Sequence, residues 1–324
     1  MAMERDPEKW EAFASSFQRI AHNVNEVLQG KTQEVRLALV CLIAEGHLLI
    51  EDVPGVGKTM LAKSIAWSID SSFRRIQFTP DLLPTDVTGV NVFNQERGDF
   101  EFKPGAIFAN IVLADEINRA SPKTQSALLE SMEERQVTMD GVTYHLGMPF
   151  MVIATQNPIE HEGTYPLPEA QLDRFMIRLS IGYPSVEAEQ NILSTHGVAS
   201  TLEDIHSVAD AQTISGMILM VRDVYVAPAL RRYIVTLSEA TRNHPDVYLG
   251  ASPRASIMLL RAARALAASE GRDFVIPDDV KSLLIPVMSH RLLLAPDALM
   301  NGRTSMSLLA DVVQQVPVPL RDRA

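Results

Sequence analysis

The chain has 324 residues, 46% of them apolar and 21% charged, and a net charge of −11. That describes an ordinary globular protein long enough for two domains and a sizeable core. Cys41 is the single cysteine and the eight histidines are scattered, which excludes a disulfide framework, a cysteine zinc site and an HExxH metal site. Residues 1–183 hold 16 Lys/Arg against 25 Asp/Glu, a balance of −9. Contact with a nucleic-acid backbone needs clustered positive charge, so no nucleic acid is expected as partner. The apolar runs fall short of the ~20 residues of a membrane span. The N-terminus has neither the basic nor the apolar region of a signal peptide, so no transmembrane segment and a cytoplasmic location are expected.

Along the chain, residues 7–45 carry apolar positions at helical spacing, broken at Gly30-Lys-Thr. The apolar run His47–Glu51 reads as a buried strand. It leads into Asp52-Val-Pro54-Gly55-Val56-Gly57-Lys58-Thr59-Met60, where Lys58-Thr59 open a helix. A strand, a glycine turn and a helix N-terminus aim backbone N–H groups at one spot, an anion site. Gly55 and Gly57 let the backbone approach a phosphate, Lys58 can reach the β- and γ-phosphates, and the Thr59 hydroxyl can ligate Mg²⁺. The spacing fits the P-loop template except at its first glycine, where Asp52 stands. A plain strand–turn–helix connection is the alternative, although a bare Lys at a helix N-terminus opposes the helix dipole and favours a bound phosphate.

Four more strands follow, at Phe73–Phe78, Ile111–Ala114, Phe150–Thr155 and Phe175–Ile181. With helical patterns between most of them, they predict an α/β domain with a doubly wound parallel sheet. Two hairpins interrupt it. One pairs Gly89–Asn94 with Asp99–Phe102 around Arg97-Gly98; the other spans 137–146 around Asp140-Gly141, a strong two-residue turn signal. Ser121-Pro122 caps a helix running to about Glu134.

Asp115 and Glu116 end the third strand. Asp115 suits Mg²⁺ and Glu116 suits polarising the water that attacks a γ-phosphate; the alternative is an acidic helix cap. Asn157, after the fourth strand, can orient that water or simply shape the turn before Pro158. Arg174, just before the fifth strand, either braces its own domain or reaches a neighbour's γ-phosphate. After Tyr183-Pro184 the strand signals stop. Helical stretches near 186–196, 207–222, 228–242, 254–269, 277–290 and 305–314 predict a C-terminal helical domain from about residue 184. There Ser252-Pro253-Arg254 opens a helix with a cation in its first turn, a conflict that an anion from the first domain would resolve; a surface Arg with no role is the alternative.

The guanine-reading Asn-Lys-x-Asp of a GTPase is absent, and Gly55-Val-Gly57-Lys-Thr-Met60 lacks the third glycine of a dinucleotide fingerprint. A scaffold that binds ATP without turnover would be expected to lack Glu116 or Arg174.

The runs Phe78–Gly89 and Pro104–Glu130, with the motifs above, resemble the MoxR family of AAA+ ATPases over residues 15–300. The resemblance implies a P-loop NTPase with a five-stranded parallel sheet in the order 5-1-4-3-2, comprising residues 1–183, and a C-terminal all-helical lid, residues 184–324. It makes 47–59 Walker A, 111–116 Walker B, Asn157 sensor 1, Arg174 a trans-acting arginine finger and Arg254 sensor 2, approaching the γ-phosphate from the lid. The hairpin at 89–103 becomes the helix-two insert and that at 137–146 the pre-sensor-1 hairpin. ATP and Mg²⁺ are the implied cofactors, and a homo-oligomeric ring, usually hexameric, the implied assembly. The implied work is chaperone-like remodelling or maturation of a protein client, often with a von Willebrand factor A domain partner. A metal-chelatase ATPase subunit is the alternative, and a DNA-remodelling motor a weaker one given the acidic charge.

Overall fold

A computed structural model of the chain describes residues 7–158, 163–187, 189–190 and 205–319. The first helix, α1 (Pro7–Val27), buries Trp10, Phe13, Phe17, Ile20, Val24 and Val27. Steps of three and four keep these on one face. After a break containing Gly30, whose φ is +76°, α2 (Thr32–Ile43) follows.

The central sheet contains β1 (Leu48–Glu51), β2 (Phe73–Gln77), β5 (Ile111–Asp115), β8 (Met151–Gln156) and β9 (Ile177–Leu179), all parallel, in the order β2-β5-β8-β1-β9. Among these five strands that order is 5-1-4-3-2, as expected. Side chains alternate between the two faces. Leu48, Ile50, Ile111, Leu113, Met151 and Ile153 enter the core shared with α1, α2, α3 (Lys58–Ser68) and the C-terminal helices. Leu49, Val112, Ala114, Val152 and Ala154 face the opposite core, closed by α4 (Pro84–Thr88) and α5 (Pro122–Glu134). Only β2 departs from the buried reading. As an edge strand it leaves Arg74, Arg75 and Gln77 exposed.

The hairpins form as β3 (Gly89–Asn94) with β4 (Asp99–Pro104), and β6 (Gln136–Met139) with β7 (Val142–His145). At the second turn Asp140 and Gly141 both have positive φ, +50° and +80°, which is why that dipeptide specifies it. The rings of Phe102 and Tyr144 stack at 4.0 Å and join the hairpins.

Beyond the sheet the C-terminal part is helical, with its longest helices at Ala211–Val221, Pro228–Arg242, Pro253–Ser269, Pro277–Met288 and Ser305–Gln315. The helix expected near 186–196 lies largely outside the described residues. One expectation is corrected: strand structure does not end at Tyr183-Pro184, because Val247–Leu249 pairs antiparallel with Leu293–Leu294. A ribbon this short has no room for a legible alternation.

Candidate active site

The loop after β1 turns through Gly55 and Gly57, whose φ values of +85° and +97° strain any residue but glycine. Gly57 is the N-cap of α3, so Lys58 and Thr59 stand in that helix's first turn. The Lys58 ammonium donates to the Asp52 carbonyl at 2.6 Å. A cleft of about 370 Å³ opens here at the carboxyl ends of the strands, lined by Pro54, Gly55, Gly57, Lys58, Thr59, Met60, Asp115, Glu116 and Asn157. Ligands of open parallel sheets bind at this end.

Asp115 is 9% exposed. One carboxylate oxygen accepts from the Thr155 hydroxyl at 2.6 Å, the other from Arg75 at 2.5 and 3.1 Å. The same Thr155 hydroxyl accepts the Glu116 backbone N–H at 2.8 Å. Glu116 has a φ of +57°, a costly conformation for a side chain with a Cβ and one that clusters at functional sites. Its carboxylate accepts from Gln77 at 2.8 Å and Arg119 at 3.0 Å. Asn157, 6% exposed, closes the wall. The Asp115 carboxylate and Thr59 hydroxyl are hard oxygens, the donors Mg²⁺ takes when phosphates complete its shell, so these residues fit that ion.

Sequence reasoning missed Arg75 and Gln77. Their alternate positions in β2 and the place of that strand beside β5 were expected, but not that these two side chains would reach the carboxylates of Asp115 and Glu116. Equally unforeseen is an apolar pocket of about 330 Å³ on the other side of Gly55–Gly57, lined by Val27, Leu28, Lys31, Val56, Met60 and Pro184. Its walls come from α1 and from the chain leaving β9, far apart in sequence.

Arg174 and Arg254 lie elsewhere. The register sets Leu48 beside Ile177, so Arg174 precedes the amino end of β9 while the phosphate loop follows the carboxyl end of β1. The length of β1, on the order of 10 Å, plus a turn at each end, separates them. Arg254 is beside Arg174, not at the phosphate cleft: both line a pocket with Gly46 and His47. Glu133 pairs with both, at 3.1 Å from the Arg174 Nε and directly with the Arg254 guanidinium. The physical reason lies in Asp173. It accepts from Ser252, the N-cap of the lid helix Pro253–Ser269, at 3.0 Å, and from the buried Arg291 at 2.8 Å. That docks the helix N-terminus at the amino end of β9. The anion paired with the Arg254 cation among the described residues is thus Glu133.

A five-stranded parallel sheet in this order, a phosphate loop facing an Asp-Glu strand end, and a docked C-terminal helical domain define an AAA+ P-loop ATPase. Residues 47–177 match the ATPase family associated with various cellular activities, and residues 239–312 match the AAA lid domain. The uncharacterized protein YeaC of Bacillus subtilis is 48% identical over 94% of this chain and 96% of its own. Chaperone MoxR1 of Mycobacterium tuberculosis is 43% identical over 94% of this chain and 82% of its own. A crystallised protein of Cytophaga hutchinsonii superimposes with a TM-score of 0.90 at 36% identity, covering 97% of this chain and 98% of that one. The chain belongs to the MoxR family of AAA+ ATPases.

Proposed function

We propose that this protein is a Mg²⁺-dependent ATPase that works as a ring, remodelling or maturing partner protein complexes, with each active site completed by the next subunit. The observation that carries the reading is the pairing of two sets of residues at opposite ends of one sheet. Lys58, Thr59, Asp115, Glu116 and Asn157 form one set; Arg174 and Arg254 form the other.

In the cleft, the backbone N–H groups of Gly55–Lys58 and the Lys58 ammonium would bind the phosphates, while Thr59 and Asp115 would hold Mg²⁺. The ion, when bound, neutralises charge on the β- and γ-phosphates. Glu116 orients and polarises the attacking water, helped by Asn157. Arg174 and Arg254 act on the γ-phosphate of a neighbour, because the β1 strand stands between them and their own. A head-to-tail contact of this kind closes into a ring when its rotation allows, and a hexamer is the size proposed. A client awaiting maturation and a von Willebrand factor A domain co-partner belong to the same proposal and rest on the family; a cytoplasmic location is proposed with them. The metal-chelatase reading has no observation of its own in this chain.

The test is phosphate release from ATP by the purified chain, with and without Mg²⁺, over a range of protein concentrations. The reading requires Mg²⁺-dependent release whose rate per subunit rises as the protein assembles. A rate independent of assembly would remove the shared site.

A further inference from the structure

Asp52 stands where the generic phosphate loop has its first glycine. Its backbone is not among the positive-φ positions, so a side chain costs nothing there. The carboxylate is buried, 7% exposed, and is satisfied by neutral donors from two directions. From its own loop the Val53 N–H donates at 3.0 Å. From the strap that leaves β9, the Ser180 hydroxyl donates at 3.0 Å and the Gly182 N–H at 2.6 Å. Lys31 holds the same strap from its other side, donating to the carbonyls of Ile181 and, at 2.9 Å, Tyr183. Peptides 181–183 are therefore fixed between one anion and one cation. The Asp52 main chain meanwhile anchors the phosphate loop, accepting from Lys58 at 2.6 Å and donating to Gln156 at 3.1 Å.

The strap and the loop are opposite walls of the apolar pocket described above, Pro184 on one side and Gly55–Gly57 on the other. That pocket is of a size and apolar character suited to a flat base, and it adjoins the phosphate cleft along the same loop. We propose that Asp52 is a positioning residue that fixes the spacing of these walls, so that the site reads a whole nucleotide and not its phosphates alone. A ligand confined to the phosphate cleft gains nothing from the strap. A ligand that also fills the base pocket depends on it. This rests on the reading of the cleft as a nucleotide site.

The experiment compares binding of ADP and of inorganic tripolyphosphate by calorimetry to the full chain and to Asp52→Gly, Asp52→Asn and Ser180→Ala. Asp52→Gly restores the generic loop glycine and should weaken ADP about ten-fold while leaving tripolyphosphate within about two-fold. Ser180→Ala removes one strap bond without touching the loop and should lower the ratio of the two affinities in the same direction by a smaller factor. Asp52→Asn, which keeps the shape and part of the bonding, should fall between Asp52→Gly and the unmodified chain. Should Asp52→Gly fail to fold, the other two variants decide. Equal losses of both ligands, or an unchanged ratio in every folded variant, would overturn the proposal. Failure of the unmodified chain to bind ADP would overturn the nucleotide-site reading itself, and this proposal with it.

Discussion

Glu116 is held in a left-handed backbone conformation by its neighbours, its N–H on Thr155 and its carboxylate on Gln77 and Arg119. Those contacts aim the carboxylate into the cleft without using it to bind phosphate. Glu116→Gln keeps the size and the hydrogen-bonding reach but loses the basicity. It should bind ATP as the unmodified chain does and release phosphate about 100-fold more slowly or worse. Lys58→Ala should lose nucleotide binding itself, because the ammonium is anchored at the phosphate cleft. Binding titrations paired with steady-state phosphate release separate the two. Near-normal turnover by Glu116→Gln would refute the assignment.

At the scale of elements, the amino end of the sheet is secured by buried groups that titrate. His47 precedes β1; its Nδ1 accepts the Val152 N–H at 3.0 Å, so its Nε2–H donates to the Met132 carbonyl at 3.1 Å. The ring thus joins β1, β8 and α5 as a neutral imidazole. Burial, with Arg135 nearby, pushes its pKa down to about 3. Burial and the adjoining Arg291 likewise hold His290 well below its ordinary value. A depressed histidine is protonated first in the unfolded chain, so its contribution is intact above the unfolded pKa near 6.5 and is lost as pH falls below it. Stability should therefore decline as the pH falls below that value, with both histidines contributing. Urea unfolding from pH 7.5 to 5 should show this decline, and His47→Gln should flatten it; a pH-independent midpoint would contradict it.

Glu45 pins the same end, pairing with Arg135 on the first domain and with Arg222 and Arg261 on the lid. Burial alone would raise its pKa, but hydrogen bonds from Arg135 and Arg222 outweigh that and lower it. Its contribution is therefore present above the ordinary carboxylate range and lost as pH falls through the lowered pKa. Arg222 is half-exposed, so water screens much of that pair. Glu45→Ala should cost about 1–3 kcal/mol in the same unfolding assay, chiefly through Arg135 and Arg261. No loss would mean that solvent already screens all three pairs.

For the whole molecule, the decisive fact is that Arg174 and Arg254 share one carboxylate, Glu133, at the end of the sheet remote from the phosphate loop. If both serve a neighbouring site, Arg174→Ala should bind ATP nearly normally and lose hydrolysis by ~10³-fold or more. Mixed with Lys58→Ala it should recover some activity, since at some interfaces an intact arginine meets an intact loop. Arg254→Ala should behave as Arg174→Ala does. An Arg174→Ala variant with full turnover, or mixtures no more active than their parts, would rule the shared site out.

Much of this was legible in the chain because it is local. Alternation and apolar runs located the five sheet strands, Asp140-Gly141 fixed a hairpin, and Ser121-Pro122 set the start of α5. The phosphate loop announced itself because glycine tolerates the positive φ at 55 and 57, and the Asp115-Glu116 pair because charge is costly at the end of a buried strand. Even the conflict at Arg254 was visible, since a cation in a helix's first turn needs an anion. Which anion was not. Glu133 lies on α5, and only the docking of the lid at the amino end of β9 brings Arg254 to it. The same holds for Arg75 beside Asp115, for Gln77 beside Glu116, and for the strap on Asp52. The strand order came with the family resemblance, but the docking of the lid and the side-chain contacts between elements are set by the packing of distant surfaces, so the tertiary structure alone decides them.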